Sequence, residues 1–255
     1  MAQITKKVVN LPVHIFETRQ EMGKVAAADA ARRINAVIAK NGVANVVFAA
    51  APSQDDLLEN LLKEDIDWTK VRGFHQDEYV GIDKSEPAGF GTFLDRAIFH
   101  KVPFKELHYL MCEADKADEK CESYTELLRK YPIDLIFLGI GENGHLAFND
   151  PAVADFNDPK VVKVVELDDV CRQQQVNDGC FPNLDAVPKQ AMTVTMSFLM
   201  NVPEAICVVP TIRKANAVYN ALCGEVTTAC PSSILRNHPN AALYLDKDSA
   251  SKLPE

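Results

Sequence analysis

Short apolar runs recur along the chain and predict the strands of a sheet. Several are continuously apolar, which is typical of strands that are buried on both faces of a parallel sheet. The predicted strands are residues 12–16, 43–49, 71–75, 108–111, 135–138, 161–167, 191–196, 205–209 and 241–245.

Longer stretches with apolar residues at helical spacing separate these runs. The longest, residues 17–40, is followed by Asn41-Gly42, which is a good signal for the end of a helix. The residues expected on its buried face are Val25, Ala28, Ile34, Val37 and Ile38. The other predicted helices are residues 57–62, 88–100, 116–130, 168–178 and 212–222.

The alternation of strands and helices predicts an α/β fold. We expect a single doubly wound, mostly parallel sheet that is flanked by helices in a Rossmann-like arrangement. The chain of 255 residues is long enough to bury one large core, and it contains no internal repeat and no low-complexity linker. Residues 1–255 are therefore predicted to form a single domain.

The most informative polar stretch follows the buried run at residues 135–138. It reads Gly139-Ile-Gly-Glu-Asn-Gly-His-Leu-Ala-Phe-Asn-Asp-Pro151 and contains Asn143, His145 and Asp150. Ligands of α/β sheets bind beyond the carboxyl ends of the strands, where such a loop would lie. We interpret it as the catalytic loop of an enzyme.

The glycines of this loop allow a second interpretation. Gly139-x-Gly141-x-x-Gly144 matches the fingerprint of dinucleotide-binding proteins, and Glu166 lies near the position expected for the acid that binds a ribose. That fingerprint requires a helix to begin at the third glycine. Prolines 151 and 159 leave no room for it, which disfavours a nucleotide cofactor. A glycine turn with an incidental histidine is the purely structural alternative.

The catalytic loop resembles the active-site signature of glucosamine-6-phosphate deaminases, which are also called glucosamine-6-phosphate isomerases. The related 6-phosphogluconolactonases share the Gly-His pair but lack the Ala-Phe-Asn-acid-Pro that follows it. The order of elements along most of the chain agrees with this family. The resemblance implies an enzyme that needs no cofactor and converts glucosamine 6-phosphate to fructose 6-phosphate and ammonia.

The resemblance assigns the expected catalytic residues. Asp77, in Asp77-Glu78-Tyr79 after the predicted strand 71–75, matches the base that moves a proton between C2 and C1 of the open-chain sugar. An Asp-Glu pair is otherwise most often a solvated surface feature. His145 would open the sugar ring, and Asp150 would orient its imidazole, although better-known members carry glutamate at this position. Asn143 is compatible with the family.

The expected binding residues for the phosphorylated sugar are less complete. Lys214 matches a family lysine that contacts the phosphate, and Ser53 lies in the loop after the predicted strand 43–49. Gly179 stands roughly where well-studied deaminases place an arginine, so we expect Arg172 to replace it from another turn. The predicted substrate-binding residues are Ala51, Ser53, Glu78, Gly144, Lys214 and Arg172.

Net charge and cysteine content indicate which classes of binding partner and which cellular compartment to expect. A net charge of -9 argues against nucleic acid and anionic membranes as partners, and an anionic substrate would need locally placed cations. The 7 cysteines include no CxxC pair, which indicates free thiols in a reducing cytoplasm. The sequence shows no signal peptide and no apolar run of membrane-spanning length, so we expect a cytoplasmic protein. A homo-oligomer is left open.

A metal is not expected, because the 6 histidines are scattered and no cluster has ligand spacing. Three other functions remain open. They are an isomerase of another amino-sugar or sugar phosphate such as galactosamine 6-phosphate, a 6-phosphogluconolactonase, and a sensor domain without activity. A sensor of this fold would carry a helix-turn-helix ahead of it and would be expected to lack Asp77 or His145, and both residues are present.

Overall fold

The computed structural model describes residues 4–8 and 10–254, and its centre is a sheet of eight strands. The strand order is β1-β2-β11-β10-β7-β3-β4-β6, and every neighbouring pair is parallel except β1 and β2. The strands are β1 (Ile4–Val8), β2 (Leu11–Phe16), β3 (Ala44–Phe48), β4 (Val71–His75), β6 (Glu106–His108), β7 (Leu135–Leu138), β10 (Glu204–Val209) and β11 (Ala241–Asp246).

Strand β7 is apolar throughout, and β3 and β4 are mostly buried, because both faces of the sheet are covered. Successive side chains of a strand point to opposite faces. Val46 and Phe48 accordingly pack in one hydrophobic cluster, and Val47 between them packs in the other. Both clusters consist of buried residues from the sheet and from the helices on that side, as expected for a doubly wound fold.

In the described part of the chain, seven α-helices connect and cover the strands: α1 (Arg19–Asn41), α2 (Asp55–Leu61), α3 (Phe90–Leu94), α4 (Ala117–Lys130), α5 (Asp169–Asn177), α6 (Met196–Asn201) and α7 (Ala215–Cys223). The prediction of the buried face of α1 was partly wrong. Val25 and Ala28 are exposed, and the helix instead buries small residues such as Ala26 and Ala30. Small side chains let α1 approach the sheet and α2 closely.

A second, antiparallel sheet has the order β5-β9-β8. It consists of β5 (Asp77–Tyr79), β8 (Val162–Glu166) and β9 (Gln190–Val194). Residues 161–167 and 191–196 were predicted as strands but assigned to the main sheet, and that assignment was wrong. Their apolar runs do not distinguish pairing with the main sheet from pairing with each other.

The predicted fold class is confirmed, and the bounds of β4 and β7 are those predicted. Strand β1, helix α6 and a 3-10 turn at Pro231–Asn237 were not predicted. All seven cysteines are free thiols. Among the described residues, no helix is both long and apolar enough to cross a membrane.

Candidate active site

A cavity opens at the carboxyl ends of β3, β4, β7 and β10. Four loops follow these strands and form its walls together with the first residue of α1 and the face of α5. The lining residues that carry polar side chains are Arg19, Ser53, Gln54, Gln76, Asp77, His145, Gln174, Gln175, Asp178, Thr211 and Lys214. The position agrees with the predicted site at this edge of the sheet.

The glycines of the catalytic loop serve its tight turn. A Cβ on Gly141 would lie 2.1 Å from Cε1 of His145, so only glycine lets the imidazole lie against this backbone. Gly144 has a φ of +87°, and a Cβ there would also approach Cys230 Sγ to 2.8 Å. No helix begins at Gly144, which removes the dinucleotide interpretation. Gly144 itself lies outside the cavity wall, and its contact with the substrate stays a prediction.

His145 is held by an acid and an amide of its own loop. Its Nδ1 lies 2.9 Å from Asp150 Oδ1 and 2.8 Å from Asn143 Oδ1. The Asn143 Nδ2 donates to two carboxylates, those of Asp150 at 2.9 Å and Asp168 at 3.0 Å, so its amide oxygen must face His145. Since both neighbours of Nδ1 are acceptors, Nδ1 carries the hydrogen, and Nε2 keeps a free lone pair for proton transfer.

Asp150 is fully buried and remains ionised. Burial raises the pKa of its carboxyl, but the hydrogen bonds from His145, Asn143 and the Asp168 backbone outweigh burial and hold the pKa below its usual range. The Asp168 N–H donates to Asp150 Oδ2 at 3.2 Å. Asp168 is also the N-cap of α5, so the catalytic loop and the start of this helix are fastened to each other.

Asp77 is a buried acid in the cavity wall. Burial raises its pKa well above the usual range, and the neighbouring charge of Glu78 raises it further. Glu78 itself lies outside the cavity wall, fully buried, and its carboxylate accepts from the backbone N–H groups of Tyr79, Phe90 and Gly91. Burial raises the pKa of Glu78 to about 7 against the lowering effect of these bonds. Glu78 was predicted to bind the substrate. In the structure its carboxylate instead joins β5 to the start of α3.

Two cations line the cavity. Lys214 is only 6% exposed, and burial lowers its pKa. Its ammonium forms no ion pair or hydrogen bond with any residue in the described ranges 4–8 and 10–254. Arg19 forms an ion pair with Asp56 and donates from Nη2 to the Pro52 carbonyl at 2.9 Å. Ser53, as predicted, lies in the same wall.

Ala51 also lines the cavity, whereas Arg172 does not. The guanidinium of Arg172 is buried and donates to Asp169 Oδ1 and to the carbonyls of Leu184 and Val187. Arg172 therefore fastens the chain after α5 and is not the substitute for the missing arginine.

Sequence reasoning missed Arg19 and four glutamines of the cavity wall, namely Gln54, Gln76, Gln174 and Gln175. A cation in the first turn of α1 opposes the helix dipole, and that was the available signal for Arg19. The glutamines gave no signal, because their residue type is common on surfaces. Gln54 Oε1 is buried and has no hydrogen-bond partner among the described residues.

Two non-glycine residues of the cavity wall adopt left-handed backbone angles. The φ of Ala147 is 52° and that of Thr211 is 82°. Hydrogen bonds with neighbouring residues stabilise both conformations. The Thr211 N–H donates to the Asp246 carboxylate at 2.9 Å. The side-chain amide of Asn149 donates to the carbonyl of Leu146, the residue before Ala147, at 2.9 Å.

One group of three side chains of metal-ligand type occurs in the part of the chain that the structure describes. His145, Asp150 and Cys171 are buried, and their ligand atoms lie within 4.8 Å of one another. The sequence gave no signal for this group, because the three residues have no regular spacing.

The sequence and the fold are both similar to those of known proteins. Residues 17–244 match the family model described as glucosamine-6-phosphate isomerases/6-phosphogluconolactonase. A glucosamine-6-phosphate deaminase from Listeria welshimeri is 34% identical over 206 residues, which are 81% of this chain and 86% of that protein. A protein of the same name from Exiguobacterium sibiricum is 32% identical over 208 residues, 82% of this chain and 81% of that protein.

Two solved structures illustrate the similarity of fold. A monomeric glucosamine-6-phosphate deaminase superposes with a TM-score of 0.84 at 24% identity, covering 94% of this chain and 98% of that chain. A 6-phosphogluconolactonase from Trypanosoma brucei superposes with a TM-score of 0.76 at 18% identity, covering 98% of this chain and 100% of that chain.

Proposed function

The chain belongs to the family of glucosamine-6-phosphate isomerases and 6-phosphogluconolactonases, and on this premise we propose that it is a glucosamine-6-phosphate deaminase. The reaction converts glucosamine 6-phosphate and water to fructose 6-phosphate and ammonia. The observation that carries the proposal is one cavity whose wall contains a buried acid, Asp77, an imidazole held by an ionised acid, His145, and a buried cation, Lys214, that forms no ion pair among the described residues.

We propose that Lys214, Arg19 and Ser53 bind the phosphate. The net charge of -9 repels an anion at long range, so the phosphate must be held by local groups. Burial disfavours the charged ammonium of Lys214, the charges of Asp178 and Glu142 offset part of this cost, and a bound anion would offset more of it. Arg19 adds donors that its contacts with Asp56 and Pro52 leave free. The glutamine amides of the wall suit the hydroxyl groups of a sugar.

In this proposal His145 opens the sugar ring. Its Nε2 takes the proton of the C1 hydroxyl and returns a proton to the ring oxygen as the C1–O bond of the ring breaks. The imidazolium formed in between is stabilised by the Asp150 carboxylate, which keeps the ring in one orientation.

Asp77 would then act as the base of the isomerisation. Its carboxylate removes the proton from C2 of the open-chain amino sugar and returns it to C1, while one proton passes from the amine to the C1 oxygen, which leaves a hydroxyl at C1 and an imine at C2. Water adds to this imine, and ammonia departs from C2. A buried carboxylate with a raised pKa is a stronger base than an exposed one, as such a proton abstraction requires.

The experiment that tests this function measures ammonia released from glucosamine 6-phosphate, with galactosamine 6-phosphate as a second substrate and hydrolysis of 6-phosphogluconolactone as a third reaction. We expect the fastest turnover on glucosamine 6-phosphate and none in the Asp77→Asn variant. Turnover of the lactone alone would refute the proposal, and preference for galactosamine 6-phosphate would correct the substrate.

We also propose that residues 1–255 act as one domain in the cytoplasm. Free thiols support the compartment, and the cavity supports the domain, because its wall draws on residues from Arg19 to Lys214. Limited proteolysis that separates two stable fragments would contradict a single domain. Light scattering of the purified protein gives its oligomeric state.

A further inference from the structure

Cys171 lies directly behind the proposed catalytic pair, outside the cavity wall. It is 1% exposed, and its Sγ lies within 4.8 Å of ligand atoms of both Asp150 and His145. Its position is fixed by α5, because the Cys171 N–H donates to the N-cap carboxylate of Asp168 at 2.7 Å. This bond fixes the backbone of Cys171, and with it the Cβ that carries the thiol, in the first turn of the helix.

The Asp150 carboxylate has room for one more donor. Its Oδ1 lies within hydrogen-bond distance of two nitrogen donors, His145 Nδ1 and Asn143 Nδ2. Its Oδ2 accepts from one N–H group among the described residues, the backbone N–H of Asp168. A carboxylate can accept about four hydrogen bonds. A thiol is a weak donor, but its bond to a charged acceptor in a buried site is stronger than the same bond in water.

The thiol of Cys171 is kept in the form that can donate. Burial raises its pKa well above the usual range, and the charges of Asp150 and Asp168 raise it further. A thiolate at this place would face two carboxylates, so the neutral S–H is the stable species. Such a thiol is inert as a nucleophile.

We propose that Cys171 is a positioning residue whose thiol donates a hydrogen bond to Asp150 and holds this carboxylate against the ring of His145. This inference rests on the proposed function, since it concerns the same reaction.

Cys171→Ala removes the donor, and Cys171→Ser keeps one. We expect kcat to fall about 5- to 10-fold in the alanine variant, as for the loss of one hydrogen bond, with KM changed less than about twofold. The serine variant should recover most of kcat. Cys207→Ala is the matched control, because Cys207 is equally buried but only burial, and no charge or hydrogen bond, raises its pKa. It should leave kcat unchanged.

The S–H stretching band in the infrared spectrum tests the bond without any substrate. The band of Cys171, isolated by subtracting the spectrum of Cys171→Ser, should lie at lower wavenumber than that of Cys207, isolated with Cys207→Ser. Asp150→Asn should move the Cys171 band towards that of Cys207, because an amide oxygen is a weaker acceptor than a carboxylate.

Coincident bands of the two thiols would overturn the proposal, and so would an unchanged kcat in Cys171→Ala. A loss of kcat that is equal in the alanine and serine variants would also overturn it, by indicating packing alone. If the wild-type protein releases no ammonia, the proposed function fails, while the infrared comparison still decides whether Cys171 bonds Asp150.

Discussion

Lys214→Met removes the buried positive charge of the cavity and keeps a side chain of similar length. If Lys214 binds the phosphate, the variant loses a charge-assisted hydrogen bond, which contributes about 1.5–3 kcal/mol. This corresponds to an increase in KM for glucosamine 6-phosphate of about 10- to 150-fold. The effect should lie towards the upper end, because Lys214 is only 6% exposed and water cannot replace it easily.

The same substitution should stabilise the protein in the absence of substrate. Burial lowers the pKa of Lys214 below that of a lysine in the unfolded chain. Between these two pKa values the unfolded chain binds more protons, so stability of the wild type rises with pH in this window, and the cost of the charge is fully present below it. Lys214→Met should therefore raise Tm at pH 7, and its advantage should shrink as the pH approaches the unfolded pKa of about 10.4.

Two measurements check this prediction: steady-state ammonia release as a function of substrate concentration, and thermal unfolding with and without inorganic phosphate. Phosphate should raise the Tm of the wild type more than that of the variant. The control is Arg213→Met, since Arg213 is the adjacent cation but lies outside the cavity wall and donates to the Asn177 carbonyl. An unchanged KM in Lys214→Met, or an equal rise in Arg213→Met, would refute Lys214 as the phosphate ligand.

Four further substitutions test the remaining assignments. Asp77→Asn should lower kcat by a factor of about 10² to 10⁴ and leave binding of fructose 6-phosphate, measured by calorimetry, nearly unchanged; near-normal turnover would exclude Asp77 as the base. Glu78→Gln removes a charge that raises the pKa of Asp77, so the acid limb of the kcat/KM profile should move to lower pH, and an unmoved limb would contradict this coupling. Arg19→Ala should raise KM for the phosphorylated sugar about 10-fold, whereas Arg172→Ala should lower Tm without a change in KM; the reverse pattern would restore Arg172 as the phosphate ligand.

The parts of the fold that the sequence predicted depend on local pattern. The strands β4 and β7 were predicted with their observed bounds: β7 is a continuous apolar run, and β4 places Val71 and Phe74 in the core. The small sheet was not predicted, since β8 and β9 pair with each other through contacts that hydrophobic periodicity does not encode. Only the folded chain decides which edge a strand joins.

The catalytic loop was predictable for the same reason. His145, Asn143 and Asp150 lie close together in sequence, and their side chains meet within hydrogen-bond distance. Distant contributions were not predictable. Arg19 reaches the cavity from the first turn of α1, and Arg172, which seemed well placed in sequence, is turned to the carbonyls of its own region.

The left-handed backbone at Ala147 and Thr211 has a consequence for protein engineering. A strained residue of this kind destabilises the fold by about 1–3 kcal/mol, a sizeable share of a total stability of roughly 5–15 kcal/mol. Glycine at either position would relieve the strain, but it would also free the cavity wall to move. Laboratory selection for heat resistance should therefore find substitutions here readily, and the variants it enriches should be the ones that hold their substrate least well.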